Sequence, residues 1–123
     1  MQKIDFFIYG EPASKANSRR VVLVKGKTRV IKSQKALNYA LMFAQQCKVI
    51  DPLVEDEIEV EIDIWYASRR PDLDESLILD LMQARIIKND RQVKRKIITW
   101  HLDRKNPRAR IRVRKLSSSI EPS

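Results

Sequence analysis

Between residues 57 and 64 the chain alternates without a break: Glu57, Glu59, Glu61 and Asp63 interleave with Ile58, Val60, Ile62 and Ile64. Successive side chains of a strand point to opposite faces, so this run predicts a strand with one apolar face and one acidic face. The flanking elements build an α/β alternation around it. Ile4 to Tyr9 is β-rich and is broken by Gly10 and Pro12, which predicts a first strand. Val21 to Val24 and Arg29 to Ile31 flank Lys25-Gly26-Lys27 and predict a hairpin turning on Gly26. Ser33 is an N-cap for a helix reaching about Cys47, with Ala36, Leu37, Ala40, Leu41, Phe43 and Ala44 at helical spacing. A second helix is expected from about Asp74 to Ile86, with Leu77, Ile78, Leu81 and Met82 inward. Ile97 to Leu102 and Ala109 to Val113 supply two more strands, the last projecting Arg108, Arg110, Arg112 and Arg114 to one face. The expected fold class is therefore α/β (α+β): a single small domain over residues 1–116 with a mixed β-sheet and two helices, followed by a frayed tail over 117–123.

Several chemistries are excluded by inventory. One cysteine, Cys47, and one histidine, His101, rule out Cys/His zinc sites and disulfides within the chain. Two glycines, Gly10 and Gly26, leave no G-x-G-x-x-G turn or Walker loop. No apolar run is long enough to span a membrane, and the start lacks a signal-peptide pattern, so the expected location is cytoplasmic.

The net charge of +9 suggests a polyanionic partner, since Lys and Arg on phosphates supply much of nucleic-acid affinity. That charge is segregated. Pro12 to Ile50 holds nine basic residues and no acid, Asp51 to Asp63 seven acids and no base, and Ala84 to Lys115 thirteen basic residues against Asp90 and Asp103 alone. Such blocks are unlike an evenly mixed solvated surface. The two basic segments could meet on one side of the fold, which the sequence alone does not decide.

Asp72 and Asp74 stand between the acidic-faced strand and the second helix, and Asp90 follows that helix in Lys88-Asn89-Asp90. Residues i and i+2 of an extended segment face one way, so Asp72 and Asp74 can address one point, and tertiary packing must return Asp90 to them. Converging carboxylates suit a hard, hydrated cation such as magnesium, which in phosphodiester hydrolysis polarises the phosphoryl oxygen and activates water. The same residues also suit plain structural duties: Asp72 and Glu75 have capping-box spacing, and Asp90 fits an ordinary turn.

Arg69-Arg70-Pro71-Asp72-Leu73-Asp74, then a helix, then Asn89-Asp90-Arg91-Gln92-Val93 resembles the signature of the RusA family of Holliday-junction resolvases, (R/P)-D-L-D-N, helix, D-D-x-Q-(V/I). The framing is similar too, from the strand ending in Gly10-Glu11-Pro12 to Asn106-Pro107-Arg108 with its alternating strand. The resemblance implies a RusA-like fold and a magnesium-dependent endodeoxyribonuclease, with manganese as a substitute ion. It implies a bacterial or bacteriophage homodimer making paired, symmetric nicks in four-way DNA junctions, with Asp72, Asp74 and Asp90 as both catalytic residues and metal ligands. The chain departs from the pattern where Glu75 replaces Asn, Ile78 replaces a common lysine and Asn89 replaces the first acid of the pair, and the helix and loop before Asp90 are a little shorter than usual and lack the common glycine. Lys15, Lys88 and Lys94 are candidates for the missing cation.

Lys15, Arg19, Arg20, Arg69 and Arg70 are the expected phosphate contacts, the first three from an acid-free segment and the last two flanking the metal site. The alternatives are a branched-DNA or nucleic-acid-binding module that does not cut, and a small basic structural protein. Asp80 is expected to face solvent or pair with an arginine, and His101 to be a packed or exposed ring. Cys47 is expected to be a buried small group, and Trp65, Tyr66 and Trp100 to be core or interface residues.

Overall fold

A computed structural model describes residues 3–14 and 19–116. Its elements in chain order are β1 (Ile4–Tyr9), β2 (Arg19–Val24), β3 (Lys27–Lys32), α1 (Gln34–Gln46), β4 (Ile58–Tyr66), α2 (Ser76–Met82), a 3-10 turn (Asp90–Gln92), β5 (Val93–Leu102) and β6 (Arg108–Lys115). The tail over 117–123 lies outside the described residues.

The alternating run becomes β4, an inner strand of a four-stranded sheet ordered β1-β6-β4-β5. β6 pairs antiparallel with both β1 and β4, while β5 runs parallel to β4, so the sheet is mixed. Ile58, Val60, Ile62, Ile64 and Tyr66 are buried on the face covered by the helices, and Glu59, Glu61 and Asp63 are half-buried on the other. Ile8, Ala109, Ile111 and Val113 extend the buried layer, which meets Tyr39 and Phe43 of α1 and Ile78 and Met82 of α2. Each such aliphatic or aromatic side chain withdrawn from water contributes roughly 1.5–3 kcal/mol. Among the described residues no helix is long and apolar enough to cross a membrane.

On the opposite face the arginines expected to share one side of β6 find the acids of β4. Arg114 donates to Glu59 and Glu61, Arg112 to Glu61 and Asp63, and Arg110 grips Asp5 of β1 with two hydrogen bonds of 2.9 and 2.7 Å. Arg95 of β5 adds a contact to Glu59 at 3.2 Å. Lys88, Lys94, Arg95, Arg112, Arg114 and Lys115 of the third charge block are thus paired with acids of the second.

Ser33 caps α1 as expected, its Oγ accepting from Ala36 N at 3.1 Å. The helix buries Ala36, Tyr39 and Phe43, whereas Leu37 and Leu41 remain 44% and 64% exposed. The apolar stripe is wider than the surface available to receive it. At the free edge of β1, Tyr9 N donates to Gln46 Oε1 at 2.7 Å and Gln46 Nε2 donates to Tyr9 O at 2.9 Å. Gly10 follows at φ 111°, a backbone conformation that favours glycine, and a Cβ there would also displace the flexible tip of Met42, whose Cε would lie 2.1 Å away.

The second helix is shorter than its apolar pattern suggests. α2 spans Ser76–Met82, not Asp74 to Ile86, because Ala84 turns to φ 66° and the chain then makes bridges at Ile87. Seven residues rise about 10 Å, half the length expected, so the chain returns sooner toward the start of β5.

Candidate active site

Both halves of the motif are organised along β5. Beyond β4, the turn through Ser68, Arg69 and Arg70 leads to Pro71, whose carbonyl accepts from Trp100 Nε1 at 3.0 Å. Three residues on, Asp74 N donates to the Tyr66 hydroxyl at 3.2 Å, and Glu75 receives Lys96 Nζ at 2.8 Å. Residues 71–75 therefore lie beside β5 from Trp100 to Lys96. At the other end of that strand Asp90 opens the 3-10 turn that leads into Val93. Lys96 stands three positions from Val93, about 10 Å at strand rise.

The aspartates differ in their surroundings. Asp72 is exposed and makes no hydrogen bond or ion pair among the described residues. Asp74 is half-buried, and its Oδ1 accepts from Ser76 N at 2.9 Å and Ser76 Oγ at 2.7 Å, holding the entry to α2. Asp74 thus has a capping duty, and no Asp72–Glu75 capping box forms, because α2 starts at Ser76 with no side-chain cap from Glu75. Asp90 is exposed.

The turn carrying Asp90 is rigidly tied. Asn89 accepts from Arg91 N at 2.8 Å. Gln92 Oε1 accepts from Lys88 N and Asn89 N at 2.9 and 2.8 Å, while its Nε2 donates to Val54 O and Asp56 O at 2.7 and 3.0 Å. One carboxamide thereby fastens the Asp90 turn to the segment leading into β4.

Tyr66 lies beneath the acidic loop. Burial pushes its phenol above the ordinary range, and the carboxylates of Asp74, Glu11 and Glu75 push in the same direction. Glu11 is a neighbour of the site that the motif does not announce. Its Oε1 accepts from Ala67 N at 2.8 Å, and Lys35 lies 3.6 Å from its Oε2. Only its place after the Gly10 break points to it in the sequence.

The donors are hard oxygens, as a magnesium ion prefers. Among the described residues, however, no three His, Cys, Asp or Glu side chains are gathered into a group that could hold a metal ion. Asp72, Asp74 and Asp90 share one strand's neighbourhood without forming a finished ligand set.

The cations fall into two kinds. Arg69 and Arg70 are exposed beside the loop, and Arg19 and Arg20 are exposed on β2; none of the four is ion-paired among the described residues. Lys15 lies outside the described residues. Of the lysines considered as replacements at the site, Lys88 pairs with Glu55 and Lys94 with Glu57 at 3.7 Å, both away from the loop. Among the described residues the lysine that reaches the loop is Lys96, which alternation along β5 places on the same side as Trp100. Asp80 is exposed on α2. His101 stacks on Trp65 at 4.6 Å and contacts Asp63 at 2.8 Å, and Arg108 lies 4.1 Å from the Trp65 ring centroid, so these rings belong to the outer face of the sheet.

A family model described as Endodeoxyribonuclease RusA matches residues 10–114, most of the chain and the whole of the site just described. No curated protein matches the chain.

Proposed function

Because the chain belongs to the RusA endodeoxyribonuclease family, whose activity is Holliday-junction resolution, we propose that it cuts four-way DNA junctions by paired symmetric nicks in a magnesium-dependent reaction. The observation that supports this most is the convergence of both halves of the motif on β5, with Asp72 and Asp74 beside one stretch of it and Asp90 at its entrance. Asp72, Asp74 and Asp90 are the residues to hold the ion, and they must close on it, since no ligand group of three is preformed among the described residues. When bound, magnesium or manganese polarises the scissile phosphate and lowers the pKa of an attacking water.

The chain's own residues have distinct tasks. Ser76 and Tyr66 fix Asp74, and Gln92 fixes the turn of Asp90. Arg69 and Arg70 bind phosphates flanking the cut. Lys96, held by Glu75, supplies positive charge where the helix carries Ile78, and so stabilises negative charge developing on the phosphate. The protein acts as a homodimer, because two-fold symmetry of the enzyme matches two nicks related by the symmetry of the junction.

The decisive experiment is incubation with a synthetic four-way junction. Nicking in magnesium, arrest on chelation and inactivity on linear duplex are expected. Asp72→Asn, Asp74→Asn and Asp90→Asn should each abolish cutting while preserving junction binding; wild-type rates in all three would remove the assignment. Binding without cleavage in either magnesium or manganese would instead establish the non-cutting DNA-binding module, a reading favoured by the absence of a preformed ligand group among the described residues.

A further inference from the structure

β2 and β3 form a two-stranded ribbon of their own, hydrogen-bonded to each other and not to the main sheet. Lys25 and Gly26 turn it with φ values of 51° and 76°, both positive as a tight two-residue hairpin turn requires. Apart from Val22 every residue from Arg19 to Lys32 is exposed, including Val21 (65%), Leu23 (77%) and Val30 (62%). The ribbon carries Arg19, Arg20, Lys25, Lys27, Arg29 and Lys32 and no acid. None of these six cations is ion-paired among the described residues, whereas every arginine of β6 is.

We propose that this hairpin is an arm that lies in the major groove of one duplex arm of the DNA substrate, its cations on the phosphates of the groove walls. The inference rests on the DNA-cutting function proposed above and names the element that grips the duplex. Dimensions agree: each six-residue strand extends about 20 Å, and a major groove about 12 Å wide admits a two-stranded ribbon. Charge complementarity selects the occupant, because a second copy of the arm would set six more positive charges against the first. Composition sets the kind of recognition. The arm has no Asn, Gln, Asp or Glu to read adenine or cytosine edges. Val21, Leu23 and Val30 offer only apolar contact, and guanine is the one base whose edge suits the ribbon's arginines and lysines, so the grip is dominated by phosphate.

The root of the arm is joined to the site. β3 runs directly into Ser33, the cap of α1; Lys35 in the first turn reaches Glu11, and Glu11 holds Ala67, from which Ser68, Arg69 and Arg70 continue to Asp72. Arm and acidic loop are therefore at one end of the molecule, and a duplex held by the first is presented to the second.

The test measures junction binding in chelator, where no cutting occurs, as a function of salt. Substituting Lys25, Lys27 and Arg29 together by Gln should weaken binding at least tenfold at 0.1 M salt and reduce the slope of log K against log salt by about 2 to 3, at roughly 0.9 for each phosphate no longer neutralised. An unchanged slope overturns the proposal. Leu23→Glu should weaken binding with the solution mass unaltered. A halved mass with the slope retained would assign the arm to a second copy and also overturn it. A wild type that binds through the arm yet never cuts would sink the nuclease reading and leave the arm standing; normal cutting with an unaltered triple variant would do the reverse.

Discussion

Gln92 shows how one side chain converts a turn into a fixed platform. Four backbone groups depend on its carboxamide, two of them in the 54–56 segment. Gln92→Ala should cost about 1–3 kcal/mol of stability, measured by urea unfolding, and should lower cleavage more than junction binding by releasing Asp90. Lys96→Met should lower the cleavage rate at least tenfold with binding in chelator unchanged, and Lys96→Arg should restore part of it; equal losses in both variants would exclude charge stabilisation. At Gly10, alanine would be forced into a φ of 111° that side-chain-bearing residues rarely adopt, with Met42 able to swing its tip aside. A loss of about 1–3 kcal/mol is expected, and the Gly10→Ala/Met42→Ala double variant should not recover it, since the strain is in the backbone. Residue types in the motif are legible because Asp-Leu-Asp and Asp-x-Gln-Val survive as local strings. The partners of Gln92 and Lys96 are not, since the groups that Gln92 holds in the 54–56 segment and the Glu75 that Lys96 holds lie more than 20 residues away, brought in only by β5 pairing with β4.

Elements whose pattern is self-sufficient are readable. β4 alternates over its whole length, and the hairpin has Gly26 at its turn, so both appear where periodicity and turn chemistry place them. The extent of α2 is not, because Ile86 and Ile87 continue an apolar rhythm that the positive φ of Ala84 interrupts. In α1 the periodicity marks a stripe, but which half of it is buried depends on what lies opposite, and Leu37 and Leu41 stay in solvent. The ion pairs of β6 have a pH consequence at the β1 edge. The Arg110 guanidinium holds the Asp5 carboxyl below its ordinary value of 3.8. A folded-state pKa below the unfolded one stabilises the fold above the ordinary range, and that contribution disappears as pH falls through the lowered value. Arg110→Gln should return Asp5 to the ordinary range in a carboxyl NMR titration and shift the acid limb of unfolding upward in pH.

Across the molecule, positive charge sorts into a neutralised part and a free part. Arg112 is committed to Glu61 and Asp63, so Arg112→Gln should destabilise the fold by about 0.5–1.5 kcal/mol, since each carboxylate loses one charged partner and keeps another, Arg114 on Glu61 and His101 on Asp63. The salt slope of junction binding should not move. Arg69→Gln with Arg70→Gln should do the opposite, flattening the slope by about 2 with melting unaltered. Bulk charge alone cannot make this division, because it is decided by which acids the sheet sets opposite which bases. In sedimentation the chain should run at twice 14.5 kDa. The carboxamide of Gln46, clipped onto Tyr9, bears on how such assembly ends. It occupies the hydrogen-bonding positions a neighbouring strand would take at Tyr9, so the end of the β1 edge next to the site is closed to zipper-like extension by another strand.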